Sequence, residues 1–523
     1  MDIKNFLQGI NEDLQRMGTN VAKLYWGLTT TGDPSYGEAI EKAEIEMRLY
    51  LSDKERFEMV QAFMGQTSDE IEKRELRLLF QAMLPNQLPR ERIEATVRKE
   101  VEIESIFTNF RAKIDGREVS NNEITEILEK SNDTELRKKA WIAGKAVGER
   151  IAPILIELIK TRNENAKILS FNNHYDMMME LQELSTEQIH SMFNEFKKNT
   201  DDLFTEIKGE IDRSLAEKFG VERSEIYPWH YSDLWFQEVP EIDDYDYNAI
   251  FKDRDIVELT RRTYELIGLD ISDILERSDL YERKGKNQHA FTISIDRERD
   301  VRVLANIRPS IKEAGTMLHE FGHAVYDKYI DKTLPFILRE PAHIFTTEAI
   351  AMLFERNARD PEWYDRVVNL SESEIIKFEE KLSKLHKFQL AILSRWVIAF
   401  VFFEKELYKD PEGDLNNLWY DTLKELQYIN PPEERRNYPD WAAKIHFGTS
   451  PVYYHNYLLG EMLASQLKDF IKNNVSENLL NKNTGEYLVE EIFRKGSRYR
   501  WDELIERATG KPLTPTFLIE DIK

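Results

Sequence analysis

Cysteine is absent from the 523 residues of this chain. That absence excludes disulfides, thiol catalysis and cysteine metal sites, so any bound metal must be held by nitrogen and oxygen ligands. Glycine and proline are also scarce, with 21 and 17 residues. They fall between segments whose apolar residues recur at helical spacing, and we found no internal repeat and no low-complexity linker. These features predict a largely helical globular protein.

Positively charged residues and long apolar runs are scarce as well. Lysine and arginine total 72 against 96 acidic residues, a net charge of −24, which argues against a nucleic-acid or anionic-membrane partner. The most apolar stretch, about 388–403, is broken by Arg395, and we expect it to be too short to span a bilayer. The N-terminus lacks the apolar core of a signal peptide, so we predict a cytoplasmic protein. The sequence does not fix an oligomeric state.

Apolar residues at helical spacing predict helices over most of the chain. The expected N-terminal helices cover roughly 2–30, 36–52, 67–83, 90–115, 132–170 and 185–219. Capping boxes support two of them, at Ser185 with Gln188 and at Asn132 with Glu135. Long helices return from about residue 361 onward. The sequence therefore predicts a mainly α fold.

One clear strand signal lies at 288–307. Two short runs rich in β-branched residues, QHAFTISID and VRVLANI, flank the charged turn RERD and predict a hairpin. Directly after it, Ser310 and Glu313 form a capping box that opens a helix through about Ile330. A second helix is expected over about 342–358. A small β element should therefore lie beside the helix that carries the residues discussed next.

The segment HEFGH, from His319 to His323, has the spacing of a metal site. Residues four apart share one helical face, so both imidazoles can reach one ion. Glu320 lies beside that face, where it can accept a proton from an activated water. Chance is the alternative, because composition alone produces such a string on the order of 2% of the time.

Glu348 is the candidate third ligand. Its neighbours one helical turn away are all apolar, namely Ile344, Phe345, Ala351 and Met352. A carboxylate in that stripe is costly to bury without a partner, and a metal ion would supply one. A salt bridge to a buried Arg or Lys is the alternative. Glu355 and His343 are weaker ligand candidates, since Glu355 shares a polar edge with Arg356 and His343 precedes the helix.

HEFGH, followed after 24 residues by a helical glutamate, resembles the gluzincin metallopeptidases. Within them the chain is similar to the angiotensin-converting-enzyme (peptidyl-dipeptidase) family and to the thimet oligopeptidase and oligoendopeptidase F family. The resemblance runs from about residue 227 to 465. It implies a Zn²⁺ ion held by His319, His323 and Glu348, with Glu320 as the catalytic base.

Further segments carry the resemblance to substrate-handling residues. QHAF resembles the strand on which the histidine and alanine, here His289 and Ala290, contact the peptide; a structural role for His289 is the alternative. KIHFGTSPVYYHNY resembles a block that implies oxyanion donors at His446 and Tyr457. The same block, together with SDLWFQ, implies binding of the substrate's C-terminal carboxylate by Gln237, Lys444 and Tyr454, and it adds Tyr453 as a further substrate-binding residue. A packed tyrosine-rich surface with a snorkelling lysine is the alternative reading of that block.

The chain also departs from the peptidyl-dipeptidase pattern. The gap from His323 to Glu348 is one residue longer and fits the thimet type, and Phe321 stands where methionine is usual. Met352 replaces an aspartate that is expected to support a zinc ligand, so the surroundings of the metal must be built differently. The chain thus looks intermediate between the two families.

We therefore expect a two-lobed helical metallopeptidase with a deep substrate channel. Residues 1–225 would form an N-terminal helical lobe that covers the channel, and 226–523 the catalytic lobe. The substrates would be short, unstructured peptides, with release of C-terminal dipeptides as the expected activity. An endo-acting oligopeptidase of the thimet type is the alternative enzyme. A non-catalytic peptide-binding or scaffold protein is the alternative from another class, and the intact set of ligands, base and donors disfavours it.

Overall fold

Helices make up most of the chain in the computed structural model, which describes residues 2–240 and 245–523. In the N-terminal part the α-helices are α1 (Ile3–Thr31), α2 (Pro34–Leu51), α3 (Lys54–Met64), α4 (Glu70–Met83), α5 (Arg90–Asn109), α6 (Asn121–Lys130), α7 (Thr134–Lys145), α8 (Val147–Ile168), α9 (His174–Leu181) and α10 (Thr186–Phe219). The remaining helices are α11 (Ile256–Ile267), α12 (Ser272–Arg277), α13 (Ile311–Tyr329), α14 (Ile344–Glu355), α15 (Pro361–Arg366), α16 (Glu372–Ile375), α17 (Glu379–Lys409), α18 (Leu415–Gln427), α19 (His446–Thr449), α20 (His455–Asn474), α21 (Lys482–Glu491), α22 (Trp501–Thr509) and α23 (Thr516–Ile522). The mainly α prediction is confirmed.

Two small antiparallel hairpins complete the described part of the chain. Strand β1 (Ala112–Ile114) pairs with β2 (Arg117–Val119), and β3 (Phe291–Ser294) pairs with β4 (Val301–Leu304). In the second hairpin Phe291 lies opposite Leu304. This is the hairpin predicted within 288–307, and α13 follows it as expected.

The predicted helix boundaries hold in most places and fail in two. The expected helix over 90–115 ends at Asn109, since the chain turns into the β1–β2 hairpin. The expected helix over 132–170 is divided between Lys145 and Val147. The cap predicted for this helix is also wrong by one position. Asp133, rather than Asn132, caps the helix by accepting from the backbone N–H of Glu135.

The chain forms two compact units, each built from separated segments. The first unit contains Met1–Gln87, Tyr245–Ser383 and Leu459–Leu518, and the second contains Leu88–Asp244, Lys384–Leu458 and Ile519–Lys523. The division predicted at 225/226 does not coincide with these units, because each unit takes segments from both sides of that position. We refer to them as the first and the second unit.

Helix α17 contains the most apolar stretch of the sequence. At 31 residues it is long and apolar enough to cross a membrane, so the expectation that this stretch is too short is wrong. Of its most apolar window 67% is buried inside the protein, as in the core helix of a soluble protein. Arg395 within it is buried and pairs with Asp201 at 2.7 Å. The interior of the second unit therefore buries this helix, and Asp201 pairs with the charge of Arg395.

Candidate active site

The HEFGH segment lies in the middle of α13, in the first unit. The helix begins where the Ser310 side chain accepts from the backbone N–H of Glu313, the predicted cap. Its inner face is buried through Met317, Leu318 and Phe321. His319 and His323 lie on one side of this helix, and their rings meet edge to face at 4.9 Å.

Helix α14 brings Glu348 to the two histidines. The helices approach closely at Gly322, where an added Cβ would lie 2.7 Å from Cα of Ala351. Gly460 on α20 leaves similar room on the other side, since a Cβ there would lie 3.1 Å from Cβ of Glu348. The absence of both side chains lets Glu348 sit in a buried position against α13.

The ligand atoms of His319, His323 and Glu348 lie within 4.8 Å of one another. The two Nε2 atoms are 3.2 Å apart, and Oε2 of Glu348 is 3.6 Å from Nε2 of His319 and 3.8 Å from that of His323. Among the residues that the structure describes, this is the one group of three such side chains able to share a metal ion.

The other nitrogen of each imidazole is held by a neighbour. Nδ1 of His319 lies 3.0 Å from Oε2 of Glu355, and Nδ1 of His323 lies 2.7 Å from Oγ1 of Thr347. An acceptor at Nδ1 fixes the ring and leaves Nε2 as the ligand atom. Both contacts therefore turn Nε2 toward the shared point.

Charge at this cluster favours a cation. Burial lowers the pKa of His319, but the hydrogen bond and charge of Glu355, with the charges of Glu348 and Glu320, raise it overall to about 10. Burial also acts on His323, and together with the charge of His319 it moves its pKa well below the usual range. The carboxylates that raise the pKa of His319 would also stabilise a metal ion at the point that both Nε2 atoms face.

Glu320, beside the face of α13 that carries the two histidines, is held by strand β3. The Thr292 hydroxyl lies 2.9 Å from Oε2 of Glu320 and 2.7 Å from its main-chain oxygen. Burial raises the pKa of Glu320, while the charge of His319 and the Thr292 hydroxyl act in the opposite direction. A carboxylate with a raised pKa suits a general base that works near neutral pH.

The two weaker ligand candidates have other positions. His343 is the N-cap of α14, and its Nδ1 accepts from the backbone N–H of Phe345 at 3.2 Å. Glu355 bonds to His319 through Nδ1 and to Arg359 at 3.2 Å. Glu355 thus holds a histidine from position 355, which is the different construction expected from the replacement of the family's aspartate by Met352.

His289 and Ala290 directly precede β3 in the first unit. The backbone N–H of His289 donates to Oδ1 of Asn287 at 2.9 Å, and His289 itself is exposed. The N–H of Asn287 in turn donates to the main-chain oxygen of Thr29 at the end of α1. Phe291 packs edge to face on Tyr25 of the same helix, with ring centroids 5.4 Å apart. Helix α1 therefore positions the segment that the sequence predicts to align the peptide.

The predicted carboxylate-binding residues meet in the second unit. Nζ of Lys444 donates to Oε1 of Gln237 at 3.1 Å and lies 5.4 Å from the ring centre of Tyr454. Asp233 holds the Gln237 segment by accepting from the backbone N–H groups of Trp235 and Gln237 at 2.7 and 3.1 Å. Burial raises the pKa of Asp233 to about 6. Gln237, Lys444 and Tyr454 are thus brought together, and Asp233 orders the loop that carries Gln237.

His446 and the tyrosines form an aromatic cluster in the same unit. The ring of His446 is 5.1 Å from Tyr454, which lies 5.2 Å from Tyr457; Tyr457 is 5.6 Å from Tyr453. Burial, followed by the charge of Lys444, lowers the pKa of His446 to about 4. The imidazole is therefore neutral at pH 7 and can donate one hydrogen bond.

The sequence analysis did not predict that Glu355 and Thr347 hold the two histidines or that Thr292 holds Glu320. Glu355 is seven positions after Glu348, so both project from the same side of α14, and that spacing was a usable signal. Thr347 and Thr292 carry no such signal, because a threonine beside a ligand or on a strand is ordinary.

Comparison with known proteins identifies the family of this chain. Residues 127–523 match Peptidase family M3. The chain is 22% identical over 464 residues to the mitochondrial intermediate peptidase of Arabidopsis thaliana, covering 77% of this chain and 64% of that protein. It is 23% identical over 424 residues to thermostable carboxypeptidase 1 of Pyrococcus furiosus, with 76% and 78% covered. Carboxypeptidase 1 of Bacillus subtilis is 26% identical over 275 residues, with 46% and 52% covered.

The site and the comparisons together place the chain in the class of metallopeptidases. The chain belongs to peptidase family M3, whose match covers the whole of the metal cluster. This confirms the thimet side of the resemblance, whereas the angiotensin-converting-enzyme side remains a prediction.

Proposed function

We propose that this chain is a zinc peptidase that releases dipeptides from the C-terminus of short peptides in the cytoplasm. The observation that carries the zinc assignment is the cluster of His319, His323 and Glu348 beside the buried Glu320. Two nitrogen ligands and one oxygen ligand, without cysteine, are typical of a catalytic rather than a structural zinc site.

The distances between the three ligand atoms fit zinc as well as their chemistry does. Ligand atoms about 2.1 Å from a tetrahedral ion lie about 3.4 Å from one another. The three separations in the cluster are 3.2, 3.6 and 3.8 Å, close to that value without any rearrangement of the helices. The neighbours at Nδ1 of each histidine give the support that zinc-bound imidazoles usually have.

The residues of the chain divide the chemistry between them. When bound, zinc polarises the scissile carbonyl and lowers the pKa of a water molecule at the site. An oxygen of Glu320 takes the proton of the attacking water and later delivers it to the leaving amine. Thr292 keeps that carboxylate oriented.

We assign the stabilisation of the oxyanion to His446 and Tyr457. Burial keeps the pKa of His446 at about 4, so its imidazole is neutral at pH 7, and the Tyr457 hydroxyl is an uncharged donor. Neutral donors stabilise a charge that develops during the reaction. The assignment comes from the family resemblance of KIHFGTSPVYYHNY and is supported by the aromatic packing of this segment.

We assign the C-terminal carboxylate of the substrate to Lys444, Gln237 and Tyr454. Lys444 is buried and donates to Oε1 of Gln237. An ammonium has three donors, so Lys444 can also pair with a carboxylate. Two relatives are named carboxypeptidases, which favours a reaction at a free C-terminus over an internal cut.

The test compares one peptide with a free and with an amidated C-terminus. Loss of a charge-assisted bond costs roughly 1.5–3 kcal/mol, which corresponds to about a 10- to 150-fold fall in kcat/KM on the amide. Lys444→Ala should cause a similar fall on the free peptide and little more on the amide, because both changes remove one interaction. Mass spectrometry of early products should show dipeptides. Equal rates with internal cuts would replace this proposal by the endo-acting thimet type.

A further inference from the structure

A turn in the second unit holds a valine in a backbone conformation that valine rarely adopts. Val452 has φ 52°, in the left-handed region, and it is only 1% exposed. For a β-branched residue such a φ is strained and persists only where the surroundings impose it. The turn lies between His446 and Tyr457, inside the segment to which the proposed function assigns the oxyanion donors.

Both main-chain groups of Val452 are held by side chains from distant parts of the chain. Its N–H donates to Oε1 of Glu404 on α17 at 2.9 Å. Its carbonyl oxygen accepts from Nε2 of Gln182, directly after α9, at 3.0 Å. Glu404 is 1% exposed, and burial raises its pKa to about 8, so it is protonated at neutral pH. A neutral acid can occupy this interior without an ionic partner.

Gln182 also connects the turn to the first residues of α20. Its Oε1 lies 3.3 Å from Nε2 of His455 and 3.4 Å from Nδ2 of Asn456. Asn456 Nδ2 donates in addition to the main-chain oxygen of Tyr453 at 2.9 Å. Tyr457 follows Asn456 in the same helical turn, so this network holds the residues directly before it.

Helix α17 fixes the turn from a second point. Phe400, one helical turn before Glu404, stacks on Tyr454 with ring centroids 4.0 Å apart and planes at 22°. The same side of α17 therefore packs against a tyrosine ring and binds the main chain two residues before it. Among the described non-glycine residues with positive φ, Val452 is the one with a β-branched side chain, for which this conformation is costliest.

We propose that Glu404 and Gln182 are positioning residues that hold Val452 in its strained conformation and thereby orient Tyr454 and Tyr457 for the peptide. This inference rests on the proposed function of the tyrosines. It adds Gln182, Glu404 and Val452, which hold the turn without contacting the substrate, and Gln182 lies 270 positions before Val452 in the chain.

The first test separates the hydrogen bond from the charge at position 404. Glu404→Gln keeps an acceptor for the N–H of Val452 and should retain kcat within about threefold. Glu404→Leu removes the acceptor and should lower kcat at least tenfold. Tyr457→Phe removes one oxyanion donor and should lower kcat by roughly 10²–10³-fold. In both Glu404→Leu and Tyr457→Phe, KM on the free peptide should change less than kcat.

The second test uses the strain itself. Glycine adopts φ near 52° at little cost, so Val452→Gly combined with Glu404→Leu should recover part of the lost kcat. Amide hydrogen exchange of residues 452–457 should rise in Glu404→Leu and return toward the native rate in Glu404→Gln. Should Glu404→Leu fail to fold, Gln182→Met carries the same test from the other side of Val452.

Thr200→Val is the matched control. Thr200 is buried in the same unit and accepts from Arg395 at 3.0 Å, away from the turn, so its loss should lower Tm without lowering kcat. The inference is overturned if Glu404→Leu folds and keeps wild-type kcat, or if its losses match those of Thr200→Val. An inactive wild-type protein would instead contradict the proposed function, and the exchange of residues 452–457 would still test the positioning claim.

Discussion

At the scale of single residues, three glutamates at the metal cluster differ in role because their partners differ. Glu348 faces both Nε2 atoms, Glu320 faces a threonine hydroxyl, and Glu355 binds the Nδ1 side of His319. The charges of His319 and Arg359 outweigh burial and lower the pKa of Glu355, whereas burial raises that of Glu320. One carboxylate is therefore kept charged to orient a ligand, while the other is suited to accept a proton.

Removal of Glu355 should weaken metal binding without removing a ligand. We expect Glu355→Ala to lower zinc affinity about 10- to 100-fold, the usual effect of losing a residue that orients a metal-bound histidine. Zinc competition with a fluorescent chelator measures this. Glu362→Ala is the matched control, since Glu362 has a similar exposure and also pairs with an arginine one turn later, Arg366. Equal zinc affinity in both variants would show that Glu355 has no such role.

At the scale of elements, the crossing of α13 and α14 builds the cluster. A Cβ at Gly322 would meet the backbone of Ala351, which cannot move aside as a side-chain end can. Gly322→Ala should therefore separate His323 from Glu348, lower zinc affinity at least tenfold and lower Tm by several degrees. Gly9→Ala in α1 is the control, because nothing lies within 4 Å of the added Cβ and the change should stabilise the helix. Wild-type zinc affinity in Gly322→Ala would contradict this account of the crossing.

Local sequence patterns predicted the elements that carry the metal cluster, because a cap and a helical period act within a few residues. Ser310, the His319–His323 spacing and the apolar stripe around Glu348 are all of that kind. The β1–β2 hairpin was missed although Asp115–Gly116 is a hairpin turn signal, since each strand has only three residues. The pairing of Val452 with Gln182 and Glu404 could not be predicted, because nothing local relates positions that far apart.

At the scale of the whole molecule, the two units are both discontinuous in sequence, which a division at one chain position cannot describe. Their stability depends on buried ionisable groups as well as on apolar cores. Glu404 is the clearest case, because burial raises its pKa from 4.5 to about 8. The unfolded chain releases this proton above about pH 4.5, whereas the folded protein keeps it until about pH 8.

The stability that Glu404 contributes is therefore complete below pH 4.5 and is lost as the pH rises toward 8. Over pH 5 to 7.5 this loss amounts to roughly 3 kcal/mol in the free energy of unfolding. Glu404→Gln cannot ionise, so urea unfolding of this variant should fall less steeply with pH over that range. Parallel pH curves for the two proteins would show that Glu404 is already charged in the folded state.

The central claim is that one zinc ion at His319, His323 and Glu348 makes the chain a peptidase. The most direct measurement is a titration of chelated, dialysed protein with zinc while hydrolysis of an unblocked peptide is followed. Activity should return in proportion to zinc and saturate at one equivalent per chain; Glu320→Gln should bind the same equivalent and remain inactive, because Glu320 is a base and not a ligand. Metal-free protein that hydrolyses the peptide at the full rate, or an active Glu320→Gln variant, would contradict the account.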